Sequence, residues 1–80
     1  MLKNGNFIRI KYSKELLMRD LCELVTRNAM VTRVTNGGAY VLPLSGRLKG
    51  QNIFIPNSSI QSQVELRQLR ANEVIRHTLL

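Results

Sequence analysis

Asn36 to Ile55 reads NGGAYVLPLSGRLKGQNIFI. Asn36-Gly37 is a strong hairpin signal, because both residues tolerate the positive φ that a type I′ turn requires and the twist of that turn matches its strands. Apolar residues alternate on both sides of it: Met30 to Thr35 forms the first strand and Ala39 to Leu44 the second. Pro43 lacks an N–H donor and belongs at a sheet edge or bulge, where the strand bends. Ser45 to Gly50, SGRLKG, is a glycine-bracketed loop that exposes Arg47 and Lys49, and Gln51 to Ile55 is a third strand with Ile53 and Ile55 on one side. Pro56-Asn57-Ser58-Ser59 closes it with turn formers.

On the amino-terminal side, Phe7 to Tyr12 alternates, with Ile8, Ile10 and Tyr12 on one face and Arg9 and Lys11 on the other. Ser13 supplies an N-cap hydroxyl to a helix through KELLMRDLCELVTR, with Glu15 in its first turn and Arg27 in its last. The stripe Leu17, Leu21, Leu24 and Val25, flanked by Leu16 and Cys22, makes this helix amphipathic. On the carboxy-terminal side Val64 to Arg70 alternates again, and the last eight residues fit either a strand or a short helix. The fold class expected is therefore mainly β with one helix: a five-stranded, SH3-like small barrel capped by an amphipathic helix. Barrel closure removes the unpaired edges of a small open sheet. One domain spans residues 1–80, with a strand or arm over 1–12, the helix over 13–28 and the barrel strands over 29–80.

Eighty residues bury little more than half of their unfolded surface, so self-assembly or a protein partner would help the core. At 44% hydrophobic the chain is folded rather than disordered, yet no apolar run approaches the roughly 18 to 20 residues of a membrane span. The start, MLKNGNFIRIKY, has no apolar core of signal-peptide length, so an intracellular, non-secreted protein is expected. One Cys and one His, Cys22 and His77, make neither a disulfide nor a zinc site, and no cofactor is expected.

Enzymatic function is not expected either. His77 would have to fold back onto a nucleophile, and Cys22 on a helix reads as a small buried hydrophobe. Asp20 and Glu23 beside Arg19 and Arg27 read as a solvated helix face. The glycines at 37, 38, 46 and 50 match no phosphate-binding pattern.

Charge is more telling. Twelve Lys and Arg against five Asp and Glu give +7, which points to an acidic partner, with single-stranded RNA or another nucleic acid the first candidate. Arg9, Lys11, Arg33 and Arg67 face away from the apolar side, while Arg47, Lys49 and Arg70 lie on connections. Phe7, Tyr12, Tyr40 and Phe54 are the only aromatics, and two or three of them are expected in the core.

From Ser13 onward the chain resembles the Sm and LSm family of small barrels. The features are a helix, SKELLMRDLCELVTRN; a strand ending in Asn-Gly, MVTRVTNG; then Leu44, Gly46 and Asn52 at the spacing of the family's first motif. Leu69-Arg70-Ala71-Asn72-Glu73-Val74 is similar to its second motif, Ile-Arg-Gly-x-x-Val. The family's aspartate position holds Leu48, its stacking position Gly50, its second-strand glycine Leu42 and its Arg-Gly turn Arg70-Ala71. The resemblance implies assembly into a ring around single-stranded RNA, with Asn52 and Arg70 at the inner rim.

The sites expected to bind nucleic acid are Arg47 and Lys49 on phosphate, Asn52 on a base, and Arg70 on phosphate or stacked. The competing reading is an SH3-like structural or protein-docking module in a ribosomal, viral or other large assembly. IFIPNSSIQSQVELRQL is similar to the end of peptide-binding SH3 domains, where a strand, a proline, a 3₁₀ turn and a last strand follow in order. An oligonucleotide-binding OB barrel is a third architecture, and it predicts a helix between the third and fourth strands.

Overall fold

The computed structural model describes residues 2–61. They form mainly β structure: β1 (Phe7–Ile10), β2 (Asn28–Thr35), β3 (Gly38–Pro43), β4 (Ile53–Pro56) and β5 (Ile60–Gln61), with one short helix, α1 (Lys14–Met18). Single 3₁₀ turns cover Cys22–Leu24 and Asn57–Ser59. All five strands belong to one open antiparallel sheet in the order β4-β3-β2-β1-β5. The expected alternating segment 64–70, the ambiguous last eight residues, Arg70 and the second Sm-like motif lie outside the described residues.

Alternation explains the core. Ile8 and Ile10 from β1, Ala29 and Val31 from β2, Ala39 and Val41 from β3, and Ile55 from β4 share one face and are buried. Leu16 of α1, Leu24 of the 3₁₀ turn and Leu48 of the loop after β3 cover that face. The hairpin pairs Thr35 with Gly38, as expected, but neither Asn36 nor Gly37 has a positive φ, so the turn is not type I′. Its carbonyls are held from outside instead: the Asn57 amide N–H donates to Gly37 O at 3.0 Å, and Asn57 Nδ2 donates to Asn36 O at 2.9 Å. A bulge at Thr32 shifts the register between Val31 and Arg33, leaving Arg33 opposite Tyr40. Pro43 ends β3 beyond its last pairing with β4, where no partner needs its missing donor.

The expected helix over 13–28 is five residues long instead. Ser13 caps it as expected, accepting from the Leu16 amide at 3.1 Å. Asp20 then takes a left-handed φ of 58° and ends it. Leu21 N–H reaches Leu16 O and Asp20 N–H reaches Leu17 O, the paired bonds of a Schellman stop. This stop brings Leu16, Leu21 and Leu24 onto the core together, whereas a continued helix would aim a different stripe at it. Leu17, expected in that stripe, is accordingly exposed and Leu16 is fully buried. Tyr12, expected beside Ile8 and Ile10, lies past the end of β1 and is exposed.

Ser13 has a second task. Its hydroxyl meets that of Ser59 at 2.5 Å in a buried contact between the start of α1 and the 3₁₀ turn before β5. Ser13→Ala removes the cap and orphans the Ser59 hydroxyl, an expected loss of about 2 kcal/mol; Ser59→Ala is expected to cost about 1 kcal/mol. The double variant should lose less than the sum of the two, as urea melts of all four proteins will show.

Candidate nucleic-acid interface

The loop between β3 and β4 is built around one buried side chain. Leu48 is 8% exposed and belongs to the core, while its neighbours Arg47 and Lys49 point into solvent. Gly46 and Gly50 bracket it at φ of 86° and 76°, and the Gly50 N–H donates to Pro43 O at 3.0 Å. The left-handed glycines let the chain turn inward at Leu48 and out again within a few residues. No helix lies between β3 and β4, which removes the support expected for an OB barrel.

Two guanidiniums lie near the Glu23 carboxylate at this loop, which also carries Lys49. Arg47 makes a two-pronged ion pair with Glu23, Nε to Oε2 at 3.1 Å and a guanidinium nitrogen to Oε1. Arg27 donates to Ser45 Oγ at 3.2 Å and its guanidinium lies beside the Gly46 backbone. Lys49 is exposed and has no partner among the described residues. The Arg47 hydrogen bond, ahead of its charge and that of Arg27, holds the Glu23 carboxyl below the 4.5 ordinary for glutamate. Glu15 is lowered too, first by its own backbone N–H and then by the Ser58 hydroxyl, which donates to it at 2.8 Å.

These carboxyls bind protons more weakly folded than unfolded. Their contribution to stability is therefore present above pH 4.5 and is lost as the pH falls through their lowered values. Glu23→Gln should flatten the decline in urea stability between neutral and acidic pH. Because both carboxyls are exposed, the change should be small and should shrink in salt.

Asn52, four residues beyond Leu48, is exposed just before β4. Thr32 Oγ1 in the β2 bulge donates to Asn52 Oδ1 at 2.8 Å and also lies 3.2 Å from the Tyr40 carbonyl. One hydroxyl proton cannot serve both; turning the amide over lets Nδ2 donate to the hydroxyl while the hydroxyl serves Tyr40. In either orientation one atom of the Asn52 amide ties the loop to β2 and the other is left for a ligand.

Arg47, Lys49 and Asn52 thus share one loop. Arg47 is held by Glu23, Asn52 by Thr32, and Arg70 lies outside the described residues. None of the aromatics expected in the core is buried: Phe7 and Tyr12 are exposed, and Tyr40 and Phe54 are half-buried on the outer sheet face. Their strand parity was the available signal, since Tyr40 sits between inward Ala39 and Val41, and Phe54 between Ile53 and Ile55. Cys22, expected to be buried, is half-buried at the start of its 3₁₀ turn. Among the described residues, no three His, Cys, Asp or Glu side chains are grouped to hold a metal, and no helix is long and apolar enough to cross a membrane.

Compared with known proteins, the chain matches no family model, no curated protein and no solved structure.

Proposed function

We propose that this protein is a non-enzymatic RNA-binding or ribonucleoprotein component built on an SH3-like small barrel. The observation that carries the reading is the β3–β4 loop that exposes Arg47, Lys49 and Asn52 together, with Arg27 bonded to its Ser45, against the nearby carboxylates of Glu23 and Asp20. A net cationic rim beside one amide suits phosphate contact with a hydrogen bond to a base edge. The barrel reading is supported by the strand order and by the passage from β4 through the Asn57–Ser59 3₁₀ turn to β5, which carries the chain from one sheet edge to the other.

Fluorescence anisotropy with a short labelled U-rich RNA tests the function. Affinity should fall steeply with salt, the logarithmic slope changing by about 0.7 for each phosphate contact removed, so Lys49→Ala should flatten it by roughly that amount. Absence of binding at low salt overturns the reading. The docking-module alternative is favoured by Leu17 and Met18, exposed side by side on α1, Met18 at 86%. It predicts a monomer with no affinity for RNA, whereas the Sm-like resemblance predicts a ring, and light scattering separates the two.

A further inference from the structure

We propose that the outward face of β2, β3 and β4, formed by Arg33, Tyr40 and Phe54 with Arg19, is a stacking platform for the unpaired bases of a single-stranded nucleic acid. The proposal rests on the RNA reading above and says which form of the polymer is recognised and by which face.

Register places Arg33, Tyr40 and Phe54 directly across from one another on three adjacent strands. The two rings meet edge to face, with centroids 5.5 Å apart and planes at 65°. The Arg19 guanidinium carbon lies 4.7 Å from the Phe54 centroid, and that of Arg33 lies 5.9 Å from the Tyr40 centroid. The row runs cation, ring, ring, cation, with Tyr40 and Phe54 at the strand parity opposite buried Ala39, Val41 and Ile55. Buried Ala39, Val41 and Ile55 behind it anchor the two rings on paired strands, Tyr40 on central β3 and Phe54 on edge β4, rather than on a loop.

Among the described residues neither Arg19 nor Arg33 has a carboxylate partner; the ion pair there is between Arg47 and Glu23. Their charge is therefore still available to an anion, while their planes and the rings offer flat π surfaces. An acidic protein surface would use only the charge. Unpaired nucleotides use both, since bases stack on aromatic rings and on guanidinium planes while phosphates pair with the cations. Duplex keeps its bases stacked inside and cannot use the platform. Asn52 lies two residues before Phe54, just ahead of β4, where its bond to Thr32 of the β2 bulge joins the basic loop to these strands.

The test compares labelled single-stranded U-rich RNA, a duplex RNA of the same length, and long-chain polyphosphate, which carries charge without bases. The single strand should bind tightest. Phe54→Leu and Tyr40→Leu, shown by circular dichroism to be folded, should weaken its binding about 5- to 100-fold and leave polyphosphate binding unchanged; Phe54→Tyr should restore it. With no Trp and only Tyr12 and Tyr40 in the chain, a Tyr12→Phe protein reports Tyr40 alone, and its emission should be quenched by the single strand and not by polyphosphate. Wild-type affinity in the folded leucine variants, or equal affinity for RNA and polyphosphate, overturns the platform while the basic-loop reading survives. Failure of all three probes to bind at low salt overturns both.

Discussion

Gly38→Ala is expected to destabilise the protein by about 3 kcal/mol or more, the largest effect of any single methyl group added to the chain. The first residue of β3 pairs with Pro56, and a Cβ built on Gly38 would stand 2.1 Å from the Ile55 carbonyl oxygen and 2.9 Å from the Pro56 Cα. Both are backbone atoms, so no side chain can swing aside. To make room, β4 must move away from β3, which breaks the Gly38–Pro56 and Ala39–Ile55 pairings. It also loosens the hold of Asn57 on the hairpin turn. A domain of this size has a total stability of about 4 to 12 kcal/mol, so the exchange should remove roughly a quarter to three quarters of it. Gly37→Ala is the control. Its Cβ would meet nothing nearer than Phe54 Cζ at 3.8 Å, so urea melts should place it within about 0.5 kcal/mol of wild type. Equal stability of the two alanine proteins would show that β3 and β4 do not approach as closely as described.

The pair also shows what could be read from the chain. Asn36-Gly37-Gly38 gives a turn and its place, because turn formers between two alternating runs leave few other registers. It does not say which glycine is indispensable. The usual argument would choose Gly37 for its φ, yet neither turn residue is left-handed, and the demand falls on Gly38 through contact with a strand some seventeen residues away. A local rule cannot see that, since the turn type is set by Asn57 gripping its carbonyls. The helix failed for a related reason. Helical spacing continues past Asp20, and only the need to bring both Leu16 and Leu21 inward makes an aspartate take a conformation usually left to glycine or asparagine.

For the candidate site the balance is reversed. Arg47, Lys49 and Asn52 were legible because a glycine-bracketed loop between strands must be exposed. Their partners Glu23 and Thr32 were not, because they lie 24 and 20 residues away in sequence. Composition misleads on the aromatics: two or three of the four are expected inside, yet Ile, Leu, Val and Ala fill the core and Tyr40 and Phe54 fall on the other parity.

Leu48→Asp is expected to unfold the protein or to leave it at least about 4 kcal/mol less stable. Truncation to alanine alone should cost roughly 2 to 4 kcal/mol, since it removes a buried side chain from the cluster containing Ile8, Ile10, Leu16 and Val41. Aspartate adds a carboxylate in the same place, where the other buried members are apolar. The same exchange one residue later should do almost nothing to stability, because Lys49 is exposed and has no partner among the described residues. Thermal melts of the two proteins should therefore diverge sharply although the substitutions are adjacent. Binding should sort differently: Lys49→Asp, fully folded, should lose affinity for RNA by replacing a cation at the rim with an anion. Position 48 is where the Sm-like resemblance would have an aspartate. If Leu48→Asp folds normally, the side chain is not a core plug and the loop is free to present that position to a ligand. If it unfolds, the loop's inward turn at Leu48 is what sets Arg47 and Lys49 outward, and the contact that this loop makes with nucleic acid comes from those two residues and Asn52.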